Sequence, residues 1–136
     1  MKNYFLTIAG ISGAMGVALG ALGAHALKAK MQAGLITPDQ WTGFDTAAKY
    51  QLFHSLALAI VYFGNREKNL KWLTISAWMF IAGIVLFSGS LYLLTTRNLI
   101  GMPSLTFLGP VTPIGGLALM GGWICLIVQS VKLKKN

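Results

Sequence analysis

The sequence predicts an all-α fold, an integral membrane four-helix bundle, and three observations carry that prediction. The chain of 136 residues is 55% hydrophobic and 10% charged, where an ordinary soluble domain carries about 25% charged residues. Its charges, 11 Lys and Arg with three Asp and Glu, are too few to cover a water-facing globule, and they stand between apolar runs of membrane-spanning length. Gly and Pro together break the long uncharged stretch after Arg97, which leaves its second part as a last span.

The first run, Tyr4 to Leu27, has no charge in 24 residues. As a helix it is about 36 Å long, against a hydrocarbon core of about 30 Å. Lys2 and the small-x-small triplet Ala24-His25-Ala26 also suit a secretory signal. An apolar run longer than the usual h-region of about 7–15 residues favours a retained membrane helix. The second uncharged run, Tyr50 to Asn65, is 16 residues. Snorkelling of Lys49 and the small residues Thr46 to Ala48 extend it. Thr37-Pro38-Asp39-Gln40 reads as a capped helix start. The second helix is thus expected over Pro38 to about Phe63, with its membrane part from about Thr46 and a bend near Gly43. Trp72 to Thr96 gives 25 uncharged residues, the clearest span. After Arg97 the breakers Gly101, Pro103, Gly109, Pro110 and Pro113 leave Thr112 to Val131 as the fourth helix. No repeat or linker divides the chain, so residues 1–136 are expected to form one membrane domain.

Lys and Arg then set an expected orientation. Lys2, Arg66, Lys68, Lys71, Lys132, Lys134 and Lys135 fall on one side, and Lys28, Lys30, Lys49 and Arg97 on the other. The positive-inside rule places both termini and the Asn65–Lys71 loop in the cytoplasm. The net charge of +8 is accordingly a membrane-orientation signal rather than a nucleic-acid footprint. The Lys132–Lys135 tail is expected to anchor the last helix at an anionic leaflet.

Two clusters of residues are singled out. On the first helix Ala9, Gly13, Gly16, Gly20 and Gly23 recur at steps of four and three and share a face. In lipid such a face lets another backbone approach closely. It is expected to be an interface, within the bundle or between subunits of a homo-oligomer. The second cluster follows from depth. His25, Tyr50, Gln51, His54, Ser55, Ser88, Ser90, Tyr92 and Thr112 are all placed toward the membrane face opposite the termini. Polar groups in lipid are costly and turn inward, which makes His25, Tyr50, Gln51, His54, Ser88, Ser90 and Thr112 a candidate polar pocket. The alternative is a hydrogen-bonded network that only holds helices together. The uncharged Asn98–Val111 connection is read as a cap over this cluster, since irregular backbone at membrane depth must be buried in protein or line a cavity.

Particular chemistries find little support. The two histidines have no nearby acid, and Cys125 falls toward the other face, a poor set for zinc. Asp39, Asp45 and Glu67 lie at helix ends or in loops, which weakens proton-coupled exchange. A hydrolase using Ser88 or Ser90, His54 and Asp45 has no nucleophile elbow. One cysteine excludes an internal disulfide, and no phosphate loop, dinucleotide fingerprint or nucleic-acid module is present. No catalytic residue, metal or cofactor is expected.

Ala21-Leu22-Gly23-Ala24-His25-Ala26-Leu27-Lys28, Phe44 with Ala48 and Tyr50 to Leu58, Leu86-Phe87-Ser88-Gly89-Ser90-Leu91-Tyr92, and Thr112 to Gly116 with Gly122-Trp123 resemble the signature segments of the domain-of-unknown-function 423 family, small bacterial inner-membrane proteins. The resemblance covers nearly the whole chain and implies four membrane helices without implying a reaction. The expected function is that of a structural or accessory inner-membrane protein in contact with membrane lipids, and no nucleic-acid partner is expected. The alternative is a small transporter, channel-like protein, or binder of a lipid or small solute that uses the cluster around His54. An intramembrane enzyme ranks third.

Overall fold

The computed structural model describes residues 1–133, which contain helices and turns and no strand. Lys134 and Lys135, counted above in the orientation and the anchoring tail, lie outside the described residues. Helix α1 runs Tyr4–Gln32 and passes through a π-helical turn at Gly23–Leu27. It continues past Leu27, the expected end, because a Lys on a helix surface does not interrupt backbone bonding. It stops at Gly34, whose φ of 73° is left-handed. There Leu35 N–H donates to the Lys30 carbonyl at 3.0 Å and Gly34 N–H to Met31 at 2.9 Å, a Schellman end.

Helix α2, Pro38–Asn65, starts with the expected capping box. Gln40 N–H donates to Thr37 Oγ1 at 3.2 Å, and Thr37 N–H donates to Gln40 Oε1 at 2.9 Å. Helix α3 spans Lys71–Thr96, with a π-helical segment at Ile84–Gly89. A short 3-10 turn at Pro103–Leu108 leads into α4, Val111–Leu133. Pro113 sits in the first turn of α4, where its missing N–H has no helical partner to lose.

Among the described residues, α1, α3 and the Pro103–Leu133 stretch are the helices long and apolar enough by composition to cross a membrane. The standing of α2 comes from its pairing. Met1 meets Asn65, Asn3 meets Tyr62, Ser12 meets Ser55, and the faces at Gly16, Gly20 and Gly23 meet Leu52, Ala48 and Phe44. As the number rises on α1 it falls on α2, so α2 returns through every depth that α1 traverses. Its lower hydropathy has a physical source: its buried residues include Gln40, Gln51, His54, Ser55 and Asn65, turned toward the other helices. Thr74 pairs with Asn65 at one end of α3, and Thr95 stands against Gly43 at the other. Ser76 pairs with Gly122 and Ser90 with Thr112 along α3 and α4. The order is up-down-up-down, with both ends of the described chain on the same side as the Arg66–Leu70 turn.

The bundle is an open one. Each helix packs chiefly on its sequence neighbour, with α1 on α2, α2 on α3 and α3 on α4. Both outer helices supply small residues to these seams. Gly16 and Gly23 of α1 lie under Leu52 and Phe44, while Gly115 of α4 lies against the Phe87 backbone and Gly122 against the Phe80 ring. One core cluster joins all four helices through Phe5, Ala9, Leu58, Val61, Ala77, Phe80 and Leu119. A second, of Leu27, Ile36 and Phe44 with Trp41 and Tyr92 against it, closes the opposite end. Phe5 of α1 touches Trp78 of α3, ring centres 5.2 Å apart. Farther along, α1 and α3 leave a lateral groove of about 370 Å³ between them.

Candidate functional site

The polar residues expected to share one pocket are distributed over separate bridges between helices. The first joins α1, α2 and α3. Gln51, buried on α2, donates from Nε2 to the Ser12 carbonyl at 2.8 Å and accepts from the Tyr92 hydroxyl at 2.9 Å. Ser55, one turn on, donates to Gln51 O and is also 2.7 Å from Ser12 Oγ. The i and i+4 spacing on α2 puts both side chains on the face covered by α1. Among the described residues, the polar atoms of Gln51 all have partners within the bundle.

The second bridge joins α2 to α4 across α3. His54 Nε2 accepts from the indole N–H of Trp123 at 3.1 Å, and His54 Nδ1 is 2.7 Å from the Tyr50 carbonyl. An indole nitrogen only donates and a carbonyl only accepts. These partners assign the proton to Nδ1 and make the ring a neutral imidazole with both nitrogens used. Aromatic rings enclose it: Phe80 at 5.5 Å and Trp123 at 6.1 Å, with Tyr50 stacked at 5.8 Å. Tyr50 also packs on Phe87 at 4.7 Å and keeps an exposed edge.

The third bridge is Ser90 with Thr112, oxygens 2.7 Å apart, between α3 and α4. Thr112 lies eleven positions along α4 from Trp123, about 16 Å at the helical rise. The polar groups are therefore spread in depth, and His54 sits at the level of mid-α3 and mid-α4 rather than beside Thr112. His25 joins none of the bridges. It is exposed on the π-helical turn of α1, because that turn directs Gly23 and Leu27 inward instead. Ser88 is buried, and its hydroxyl has no partner among the described residues.

Gly13, Gly16, Gly20 and Gly23 stand opposite Ser55, Leu52, Ala48 and Phe44 of α2. The small-residue face of α1 is used within the chain. The Asn98–Val111 connection does not cover the polar groups. Ile100, Met102 and Phe107 are exposed, and the 3-10 turn rests on the end of α3. Gly101, with φ of 69°, and Pro103 turn the chain back, so that α4 begins beside Ser90.

Sequence reasoning missed Ser12, Trp123 and Asn65 as participants. Ser12 borders the glycine face, and a Trp N–H within lipid needs an acceptor; both were usable signals. Asn65 is fully buried and binds Leu70 O at 3.2 Å and Thr74 Oγ1 at 3.0 Å, but nothing local distinguishes it from a loop residue. Among the described residues no three His, Cys, Asp or Glu side chains come together as a metal site.

A polytopic all-α protein with polar groups turned inward and apolar side chains outward is a membrane protein. The chain belongs to the family described as protein of unknown function, DUF423, whose sequence profile matches residues 19–116. It is 35% identical to the UPF0382 membrane protein YwdK of Bacillus subtilis, over 94% of this chain and 96% of that one. It is 39% identical to a UPF0382 membrane protein of Haemophilus influenzae, over 98% of each. It is 36% identical to the UPF0382 inner membrane protein YgdD of Escherichia coli, over 99% of this chain and 95% of that one. No enzymatic name occurs among these relatives, and no solved structure matches. The profile's match includes every residue of the expected pocket and leaves out Trp123, the partner of His54.

Proposed function

We propose that the protein is a structural or accessory component of the inner membrane without catalysis of its own. The observation that carries this reading is the state of His54, whose two ring nitrogens are both engaged, by Trp123 and by the Tyr50 carbonyl. Gln51 is likewise consumed by Ser12 and Tyr92. A side chain that binds or transports a solute keeps a donor or acceptor free for it, and here those groups hold helices together. The inner-membrane placement rests on the name of the Escherichia coli relative. The excess of Lys and Arg at the end carrying the termini supports a cytoplasmic position for both.

Flux of small solutes into liposomes, wild type against His54→Ala, tests the reading. Equal leakage from both supports it, and a saturable flux lost in the variant overturns it. A reporter active only in the periplasm, fused after Asn136, tests the orientation; activity there overturns it.

A second reading is favoured by the groove between α1 and α3. It is lined by Ile8, Ile11, Met15, Ile84, Val85 and Tyr92, almost entirely apolar, and opens sideways where acyl chains lie. It supports binding of a lipid-like molecule rather than a polar solute. Self-association belongs to the proposal as well, through the exposed apolar residues Phe53, Leu56 and Ile60 of α2. Crosslinking in native membranes checks it, and a lone monomer band overturns it.

A further inference from the structure

We infer that the face formed by both ends of the described chain and the α2–α3 turn is a binding surface for the headgroups of anionic phospholipids. This surface is a product of folding. The Met1 ammonium donates to the carbonyls of Asn65 at 3.2 Å and Arg66 at 2.9 Å, which ties the N-terminus over the last turn of α2. Lys2 is thereby brought to the end of α2 from which the turn carrying Arg66, Lys68 and Lys71 departs. Lys132 at the end of α4 reaches the same face, its ammonium 5.2 Å from the Trp72 ring centre. Cations from three separate segments converge there with one acid, Glu67, and no ion pair forms among them in the described residues.

The opposite end differs. Lys49 is paired with Asp45 at 2.6 Å, Arg97 bonds the Leu94 carbonyl, and Lys28 lies over the Trp41 ring at 6.0 Å. Lys2 and Lys132 rest over Tyr4 and Trp72 much as Lys28 does over Trp41, so the difference lies in ion pairing and number. Lys49 is neutralised by Asp45 at one end, while Lys2, Arg66, Lys68, Lys71 and Lys132 gather at the other with no ion pair among the described residues. Charge complementarity thus selects an anionic partner for the terminal face.

Depth selects a lipid over a soluble partner. Tyr4 and Trp72 lie beside Lys2 and Lys132, the aromatic belt that marks the interface. The turn from Arg66 to Leu70 is five residues long, too short to rise above the headgroups. A basic patch held at that level meets lipid phosphates before anything dissolved in water, and each cation there contributes about 1 kcal/mol toward an anionic surface. The inference holds whether or not the proposed accessory role does, since it uses none of the buried polar residues.

The test measures lipid retention by native mass spectrometry and thermal stability of the whole chain in neutral detergent. The probes are phosphatidylglycerol, cardiolipin, phosphatidylcholine and inorganic phosphate. Phosphatidylglycerol and cardiolipin should bind at least about ten-fold more tightly than phosphatidylcholine. Each cation removed in Arg66→Gln, Lys68→Gln and Lys71→Gln should weaken that binding about five-fold. All three side chains are exposed, so the variants should fold. The control, Lys28→Gln with Lys30→Gln at the other end, should retain it. Equal binding of phosphatidylcholine, an equal loss in the control, or inorganic phosphate matching phosphatidylglycerol would each overturn the inference.

Discussion

The indole N–H of Trp123 points to Nε2 of His54, 3.1 Å away, and ties α4 to α2 over the Phe80 ring of α3. Each of these two helices packs chiefly on α3. The bond adds a direct link between non-neighbouring helices in a bundle that is built mainly from sequential pairs.

Replacing Trp123 by Phe keeps a ring against Phe80 and removes the only donor to His54 Nε2 among the described residues. A loss of about 1 kcal/mol in stability is expected, within the range for hydrogen bonds between membrane helices. A double-mutant cycle with His54→Phe should return a coupling of about 0.6–1.7 kcal/mol. Unfolding in detergent mixtures measures it, and a coupling near zero would show that the bond contributes nothing.

The glycines divide into those under contact and those in the open. A methyl group at Gly115 would meet the Phe87 backbone, which cannot move aside as a side chain can. Gly115→Ala should cost about 2 kcal/mol or more. At Gly10 nothing lies within 4 Å of the added carbon, so Gly10→Ala should be neutral or stabilise by up to about 1 kcal/mol through helix propensity. Thermal denaturation of the pair separates a packed seam from mere glycine content.

Tyr92→Phe leaves Gln51 Oε1 without its donor at the groove floor and should cost about 1 kcal/mol. Gln51→Leu in the same background should add less than it does alone, because the two side chains share one bond. Additive losses in chemical denaturation would show that the contact is not formed.

The capping box offers a prediction outside the hydrocarbon region. Thr37→Ala removes the acceptor for Gln40 N–H and should cost about 1 kcal/mol. Adding Gln40→Ala should cost less than the two single losses together, since the two bonds are reciprocal. Hydrogen exchange at residues 39 to 41 checks this, through faster exchange at that helix start and unchanged exchange in α3.

Much of the frame was legible because it depends on composition and spacing. Helix starts were readable where a local signal exists, as in Thr37-Pro38-Asp39-Gln40. The end of α1 carried such a signal in Gly34, which a reading based on charges passed over. The candidate site was legible only by residue type. Gln51, Ser55 and Tyr92 do converge, whereas His25 turns outward and Thr112 stands a long way from His54. Depth along a helix can be counted from sequence, but facing cannot, because each π-helical turn rotates the residues beyond it relative to an ideal helix.

By itself the sequence determined the class of protein: the long uncharged runs demand lipid, and in lipid only helices satisfy their own backbone in such short segments. It also determined the glycine face of α1, since small residues at steps of four and three align on any helix. The tertiary structure alone decided that α2, the least apolar helix, pairs with α1 over its whole length, and that the bundle stays open between α1 and α3. It alone decided that the two ring nitrogens of His54 are both occupied. These are matters of which side chains meet across helices, and a hydrogen bond of about 3 Å depends on a register that no local pattern encodes.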